Sequence, residues 1–475
     1  MSTGRSEISR NASYDLAIVG AGSAGFAAAI TAAEQGARVA LIGHGTIGGT
    51  CVNVGCVPSK TLIRAAESLH NARAAARFAG MRGQAALDDW GALIAQKDEL
   101  ITTLRRGKYV DLLRSYPTIA YVEGRARLAR GGVLANGELL SARKTIVATG
   151  AAAARPSIRG IQDIDYLTST TALELRELPR SMLVIGGGYI GCELAQLFAR
   201  TGARVTLVCR SRLLPEGEPE ISQALAGYLG EEGVDVRVGV AYGQIRRTRG
   251  GIALDIDLNG AAAALEAEVA LAATGRRPNT DGLGLAEVGV ALGERGGVRV
   301  DQHLRTSNPA IYAAGDVIGR HQFVYMAAYG ARLAALNALN GDADRYDAST
   351  MPMVTFTDPQ VATVGLTEAA ARADGIDVKS SILPLDAVPR ALAARDTRGL
   401  IKLVADRRTD RLLGAHILAP EGCDSIQTAA LAIKHGMTTR QLGETIFPYL
   451  TTVEGLKLAA QSFGKNVRML SCCAG

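Results

Sequence analysis

The chain has 475 residues, 48% of them hydrophobic and 21% charged, which is material for a large core and excludes global disorder. A net charge of +6 arises from 52 basic against 46 acidic residues with no long Lys/Arg block. That argues against nucleic-acid binding, since anionic cofactors account for it equally well. Seven cysteines, an odd number without framework spacing, point to a reducing compartment, so a soluble, cytoplasmic protein with no stable membrane association is expected.

Residues 1–13 are polar and read as a loose tail. Leu16 to Ala33 is an uncharged run of 18 residues behind Arg5 and Arg10, but its glycines would break a membrane-spanning helix. It reads instead as a strand (Asp15 to Gly20), a turn and a helix (Phe26 to Gln35), with a second strand over Arg38 to Ile42. Gly20, Gly22 and Gly25 give the G-x-G-x-x-G spacing of a dinucleotide turn, where a pyrophosphate meets the free N–H groups of a helix N-terminus. The acid that ordinarily ends the second strand and binds a ribose is missing, because Gly43 and His44 stand there.

Next comes Gly48-Gly49-Thr50-Cys51-Val52-Asn53-Val54-Gly55-Cys56-Val57-Pro58-Ser59-Lys60. By spacing alone the two cysteines are a redox pair or half a metal site; the glycines supply the backbone freedom that a short disulfide loop needs. Helices are expected over Thr61 to Ala75 and Trp90 to Tyr109, and strands over Thr118 to Leu128 and Lys144 to Gly150. Ala151 to Gly160 marks passage to a new domain.

A second strand–turn–helix–strand unit comes after it, with Met182 to Ile185, then Gly186, Gly188 and Gly191, then Cys192 to Arg200 and Val205 to Val208. Two such units imply two dinucleotides. Cys209-Arg210-Ser211-Arg212 ends the last strand, and guanidinium groups there favour the 2′-phosphate of NADPH over NADH. A strand ending in Ala273-Thr274-Gly275 closes this stretch, and Thr306 to Asp316 gives another strand ending in Gly-Asp. From Met351 the pattern changes to strands (Pro352 to Phe356, Leu400 to Val404, Leu412 to Leu418) and helices (Ser425 to His435, Thr439 to Thr445) without phosphate loops.

The Gly48–Lys60 string, both glycine turns and the strand ending at Asp316 together resemble the flavoprotein disulfide reductases, the class I pyridine nucleotide-disulfide oxidoreductases. The resemblance implies an α/β fold like that of glutathione reductase, with two Rossmann-like dinucleotide-binding domains and a C-terminal α+β dimerisation domain. Its expected parts are an FAD-binding domain (14–152), an NAD(P)H-binding domain (153–280), a second part of the FAD domain (281–350) and a dimer-interface domain (351–475). It implies FAD and NADPH as cofactors, Cys56 as the charge-transfer thiolate against the flavin, and Cys51 as the interchange thiol. Lys60 and Glu193 match an ion pair beside the flavin, and Tyr189 the cover of the nicotinamide pocket. Gly25, Gly45, Thr50, Lys60, Ala126, Asp316 and Val324 match positions that contact FAD; Gly150 and Gly275 are the matching glycines of the two Ala-Thr-Gly strands.

The acceptor is where the chain departs from most relatives. Tyr449 stands where disulfide-reducing members carry a histidine, although Glu454 is retained. A phenol, with an ordinary pKa of about 10, shuttles protons poorly at neutral pH. The end of the chain, Ser471-Cys472-Cys473-Ala474-Gly475, offers two thiols. Neighbouring Cα atoms lie about 3.8 Å apart whereas disulfides want about 4.4–6.8 Å, so these two favour binding a soft metal over bonding each other. With Tyr449 and Gln322 to Tyr325, this tail resembles the mercuric reductase branch. That implies reduction of Hg(II), delivered as thiolate complexes, to Hg(0) in a homodimer. Cys472 and Cys473 of one subunit would pass the metal along Tyr189 and Tyr449 to Cys51 and Cys56 of the other. The N-terminal GMTCxxC domain of many relatives is not seen, so mercury is expected to arrive directly or on cytosolic thiols. Cys192, Cys209 and Cys423 are isolated and read as structural, and His416 and His435 lack partners at ligand spacing. The competing readings are a reductase of glutathione-like or lipoyl disulfides and a thiol protein that sequesters metal.

Overall fold

The uncharged run near the N-terminus folds as a strand, β1 (Tyr14–Val19), a glycine turn, a helix, α1 (Ser23–Glu34), and a second strand, β2 (Val39–Gly43). Every residue of β2 is buried, the pattern of a strand covered on both faces of a parallel sheet. This computed structural model describes residues 13–466, divided into two units. The expected tail at 1–13 lies almost wholly outside the described residues, as do Cys472 and Cys473.

The first unit comprises the chain up to Ser59 with Ala92–Ala154 and Gly275–Ala348. Its sheet runs β3 (Ile119–Glu123), β2, β1, Glu138–Val147, and Ile311–Ala313 pairs parallel to Glu138–Val147. Two short antiparallel strands, Gly132–Ala135 and Ala126–Ala129, extend it from the same Glu138–Val147 edge. Leu16, Ile18, Leu41 and Ile42 fill the core together with Ala28, Ala29 and Ala32 of α1 and Ala331, Ala334 and Ala335 of Val324–Asn340. The small residues let those two helices approach closely, and truncating Leu41 to alanine there costs about 2–5 kcal/mol.

The second unit comprises Lys60–Gly91, Arg155–Thr274 and the chain from Ser349. It contains a parallel sheet in the order Asp235–Arg237, Arg204–Val208, Ser181–Ile185, Val269–Ala272, and an antiparallel meander over 241–267. The chain from Met353 to Ala419 supplies a five-stranded antiparallel sheet, against which Gly422–Lys434 and Glu454–Gln461 pack. The α/β fold expected from the sequence is thus the one adopted.

Two local expectations are corrected. The segment around Cys51 folds as a short helix, α2 (Gly49–Val54), followed by α3 (Cys56–Ala74). The helix expected from Thr61 therefore begins five residues earlier. Pro58 falls in its first turn, where a missing N–H costs nothing. Thr118 to Leu128 breaks at Gly124-Arg125 into two strands that pair with different neighbours.

Candidate active site

Both glycine turns are enforced by sterics. Gly20 has φ 121° and Gly186 φ 120°, and a Cβ at either would strike the backbone of the opposite strand, at Ala148 and Ala273 respectively. A Cβ on Gly25 or Gly191 would collide with the carbonyl oxygen of Gly20 or Gly186, so each helix can seat on its strand only through glycine. Gly22 and Gly188 are the N-caps of α1 and of Tyr189–Thr201, and neither helix has a side-chain cap. Free N–H groups at a helix start are what a pyrophosphate needs.

The cysteine segment is docked on the first of these turns. Gly48 N–H donates to Ala21 O (2.9 Å), and a Cβ on Gly49 would come 2.6 Å from Gly22 Cα. Backbone therefore meets backbone where α2 begins. Asn53 holds the bend by donating to Ile47 O (2.9 Å) and Gly49 O (2.8 Å), and Arg105 donates to Asn53 Oδ1 (3.1 Å). Cys51 lies in α2 and Cys56 opens α3, both half-buried; Gly55 between them passes so close to Thr50 O that a Cβ would lie 2.9 Å from it. Tyr109 packs edge-on against Phe26 (4.8 Å between centroids) and bonds Ser23; burial pushes its phenol above the ordinary value.

Around this turn, the residues expected to hold the flavin adopt geometries that leave room. Gly45 (φ 79°) has no atom within 4 Å of where a Cβ would lie, and the same holds at Gly150 (φ 72°) and Gly275 (φ 115°), the glycines of the two Ala-Thr-Gly strands. Thr50 is exposed on α2, Ala126 starts its strand and Val324 starts its helix. Asp316 follows Gly315 (φ 78°); burial raises its carboxyl pKa while Arg276, 3.6 Å away, opposes the shift. A partly buried acid with a neighbouring cation suits hydroxyl groups of a ligand.

In the second unit, Lys60 Nζ bonds Glu193 Oε2 at 2.7 Å. Glu193 is only 4% exposed, and its other oxygen accepts from Phe356 N–H (2.9 Å), while the Phe356 ring lies 4.8 Å from the ammonium. Both carboxylate oxygens are thereby fixed. Tyr189 is the first residue of its helix and half-buried. Arg210 is exposed at the strand end, but Arg212 donates to Pro215 O (2.9 Å) and Gly217 O (2.7 Å), which ties its guanidinium to the loop. Tyr449 is 53% exposed, in a run with Ile446 and Leu450 also exposed. Buried Glu454 accepts from Leu450 N–H (3.1 Å) and so holds the turn, at Leu450 φ 60°, that presents Tyr449.

The isolated cysteines are poor ligands. Burial drives the Cys192 and Cys209 thiols up, and Cys423 is pushed up to about 12. His70, Glu232 and Asp358 converge in a way that could hold a metal, yet Arg200 and Arg398 already occupy both carboxylates. Four residues of these sites are not singled out by the sequence: Asn53, Arg105, Arg276 and Phe356. Only Asn53, inside the cysteine string, carries a local signal.

Comparison with known proteins gives a consistent picture. Residues 14–333 match the model of the pyridine nucleotide-disulphide oxidoreductases, and residues 351–460 match that family's dimerisation domain. A mercuric reductase of Streptomyces lividans is 49% identical over 97% of this chain and 98% of its own length. One from Lysinibacillus sphaericus is 47% identical over 97% of this chain and 85% of its own. Among solved structures, the HOCl-induced flavoprotein disulfide reductase RclA of Escherichia coli, as its Cu(II) complex, superposes with a TM-score of 0.83 at 32% identity. It covers 96% of this chain and all of that one. The chain belongs to the pyridine nucleotide-disulphide oxidoreductases and, within them, to the mercuric reductases.

Proposed function

We propose that this protein reduces Hg(II) to Hg(0) with electrons from NADPH, using FAD and the Cys51/Cys56 pair. The observation that carries the reading is the backbone contact of Gly49 with Gly22, which seats both cysteines at the first dinucleotide turn. FAD fits there, since Gly45 and Gly150 keep the surroundings of the turn clear and Asp316 offers a carboxyl for hydroxyl groups. When bound, FAD supplies a two-electron relay between NADPH and the cysteine pair. Cys51 and Cys56 hold the metal as soft thiolate ligands, and Asn53 and Arg105 keep the two helix ends that carry them in register. Lys60 and Glu193 present a fixed cation at the second turn of α3, one turn on from Cys56.

The second dinucleotide site takes NADPH, with Arg210 as the 2′-phosphate ligand and Arg212 shaping the loop. The assigned domains are 14–152 and 281–350 for FAD, 153–280 for NADPH and 351–475 for the dimer interface. The matched dimerisation domain and the exposed Ile446, Tyr449 and Leu450 support a homodimer. Cys472 and Cys473 of one subunit accept Hg(II) from cytosolic thiol complexes and hand it, past Tyr449 and Tyr189, to the partner's redox pair. The proposed location is the cytoplasm. Among the described residues no helix is long and apolar enough to cross a membrane.

The test is NADPH oxidation by the flavin-loaded protein with Hg(II) and excess thiol, comparing wild type with Cys472→Ala/Cys473→Ala. Hg-dependent oxidation that falls at least tenfold (about 1.4 kcal/mol of barrier) in the double variant supports delivery by the tail. Equal activity in both removes the tail from the route, and activity on an organic disulfide alone would replace the reading with a general disulfide reductase.

A further inference from the structure

The missing acid at the end of β2 leaves a question that the sheet register answers. Gly43 pairs with Glu123, the last residue of the parallel neighbour β3. Register partners in adjacent parallel strands leave the sheet on the same face, about 4.8 Å apart. That face is the one carrying the glycine turn, because a Cβ built on Gly43 would lie 2.6 Å from Ala21 Cβ. Tyr121, two residues before Glu123 and so on its side of β3, places its hydroxyl 2.8 Å from that same point. Any side chain at position 43 would therefore overlap Tyr121. An acid on β2 and the phenol of Tyr121 are mutually exclusive here, and Gly43 is buried beneath the ring.

Glu123 is exposed, and its carboxylate has no ion-pair partner among the described residues. Its backbone is fixed, with Asn136 Nδ2 donating to Glu123 O (2.8 Å) and Gly124 N–H donating to Gly43 O (2.7 Å). Burial and the nearby Glu123 charge together raise the pKa of Tyr121, which keeps the phenol a neutral hydrogen-bond donor beside the carboxylate.

We infer that Glu123 supplies the ribose-binding carboxylate for the adenosine of FAD, moved one strand over from β2, with Tyr121 filling the space the usual acid would occupy. The inference rests on the flavin assignment made above. A Glu side chain is long enough to reach back across one strand spacing to a diol lying beyond the Tyr121 hydroxyl that covers Gly43. A carboxylate in that place also repels a 2′-phosphate, so the first turn takes FAD and leaves the 2′-phosphorylated nucleotide to the second.

The experiment is to titrate apoprotein with FAD and with its 2′-deoxyadenosine analogue, following flavin fluorescence, for wild type, Glu123→Ala and His44→Ala. Glu123→Gln serves as the second Glu123 variant should alanine disturb the strand end. Wild type is expected to prefer FAD over the deoxy analogue by roughly tenfold, the worth of one charge-assisted hydrogen bond. Removing the Glu123 carboxylate should abolish that preference by weakening FAD alone, and His44→Ala should leave it intact. The inference is overturned if the Glu123 variants keep the preference, if they lose both flavins equally, or if His44→Ala is the one that loses it. Wild type that takes up neither flavin would instead overturn the flavoprotein reading beneath it.

Discussion

The two glycine turns are nearly superimposable in their chemistry, yet the residues that come after them differ at every functional position. Gly20, Gly22 and Gly25 correspond to Gly186, Gly188 and Gly191, with φ of the leading glycine equal within a degree. Even the contact between turn and second strand is matched by an exchange of sizes. Ala21 faces Gly43 in the first unit, whereas Gly187 faces Cys209 in the second, where a Cβ on Gly187 would lie 2.8 Å from the sulfur. After the turns, Ser23, Phe26 and Ala27 line one helix start; Tyr189, Cys192 and Glu193 line the other. The turn specifies that a dinucleotide binds. The helix face and strand ends specify which one and what it reacts with.

The largest break of this symmetry should come from alanine at the third glycine. Gly25→Ala forces a methyl into the Gly20 carbonyl and should cost about 3 kcal/mol, yielding protein without flavin, as its absorbance will show. Gly191→Ala makes the same collision with Gly186 but should leave the protein yellow and abolish its reduction by NADPH in stopped flow. Next, Lys60→Met strands Glu193, whose burial makes an unpaired charge expensive. Roughly 2 kcal/mol should be lost, less than for a fully buried pair because Lys60 is itself 31% exposed; the urea midpoint reports it. The corresponding Ala27 in the first unit has no such partner to lose.

At the second strand end, Arg210→Ala should raise KM for NADPH about tenfold with little change for NADH, a difference of about 1.4 kcal/mol. Arg212→Ala should do less, because that guanidinium serves the carbonyls of Pro215 and Gly217. The smallest effect concerns Cys423. With its thiol pushed up to about 12, it should resist alkylation at pH 8 while the protein is folded and react once urea unfolds it, as mass spectrometry can follow.

Legibility in the sequence tracks the range of the interactions. Glycine turns and the Gly48–Lys60 string are local patterns whose leading glycines take the positive φ expected of them, whereas the strand expected to run to Asp316 ends at Ala313 and Asp316 opens a short 3-10 turn. The start of α3 is hidden because Pro58 reads as a stop until its place in a first turn is known. The last strand of the meander, Ala261–Ala267, gives no signal, since it is an edge strand of mostly exposed alanines. Arg105 on Asn53, Arg276 beside Asp316 and Tyr121 over Gly43 join residues far apart in the chain, a separation that no local spacing encodes.

The most direct test of this chemistry is stoichiometry. Flavin-loaded protein is given NADPH and Hg(II) under excess thiol in a closed vessel, and Hg(0) in the gas phase is counted against NADPH consumed. One Hg(0) per NADPH is expected, because the two-electron oxidation of NADPH to NADP⁺ and H⁺ balances Hg(II) to Hg(0), and Cys51→Ser or Cys56→Ser should stop both. Mercury retained on the protein without NADPH loss, or NADPH loss without vapour, would contradict it.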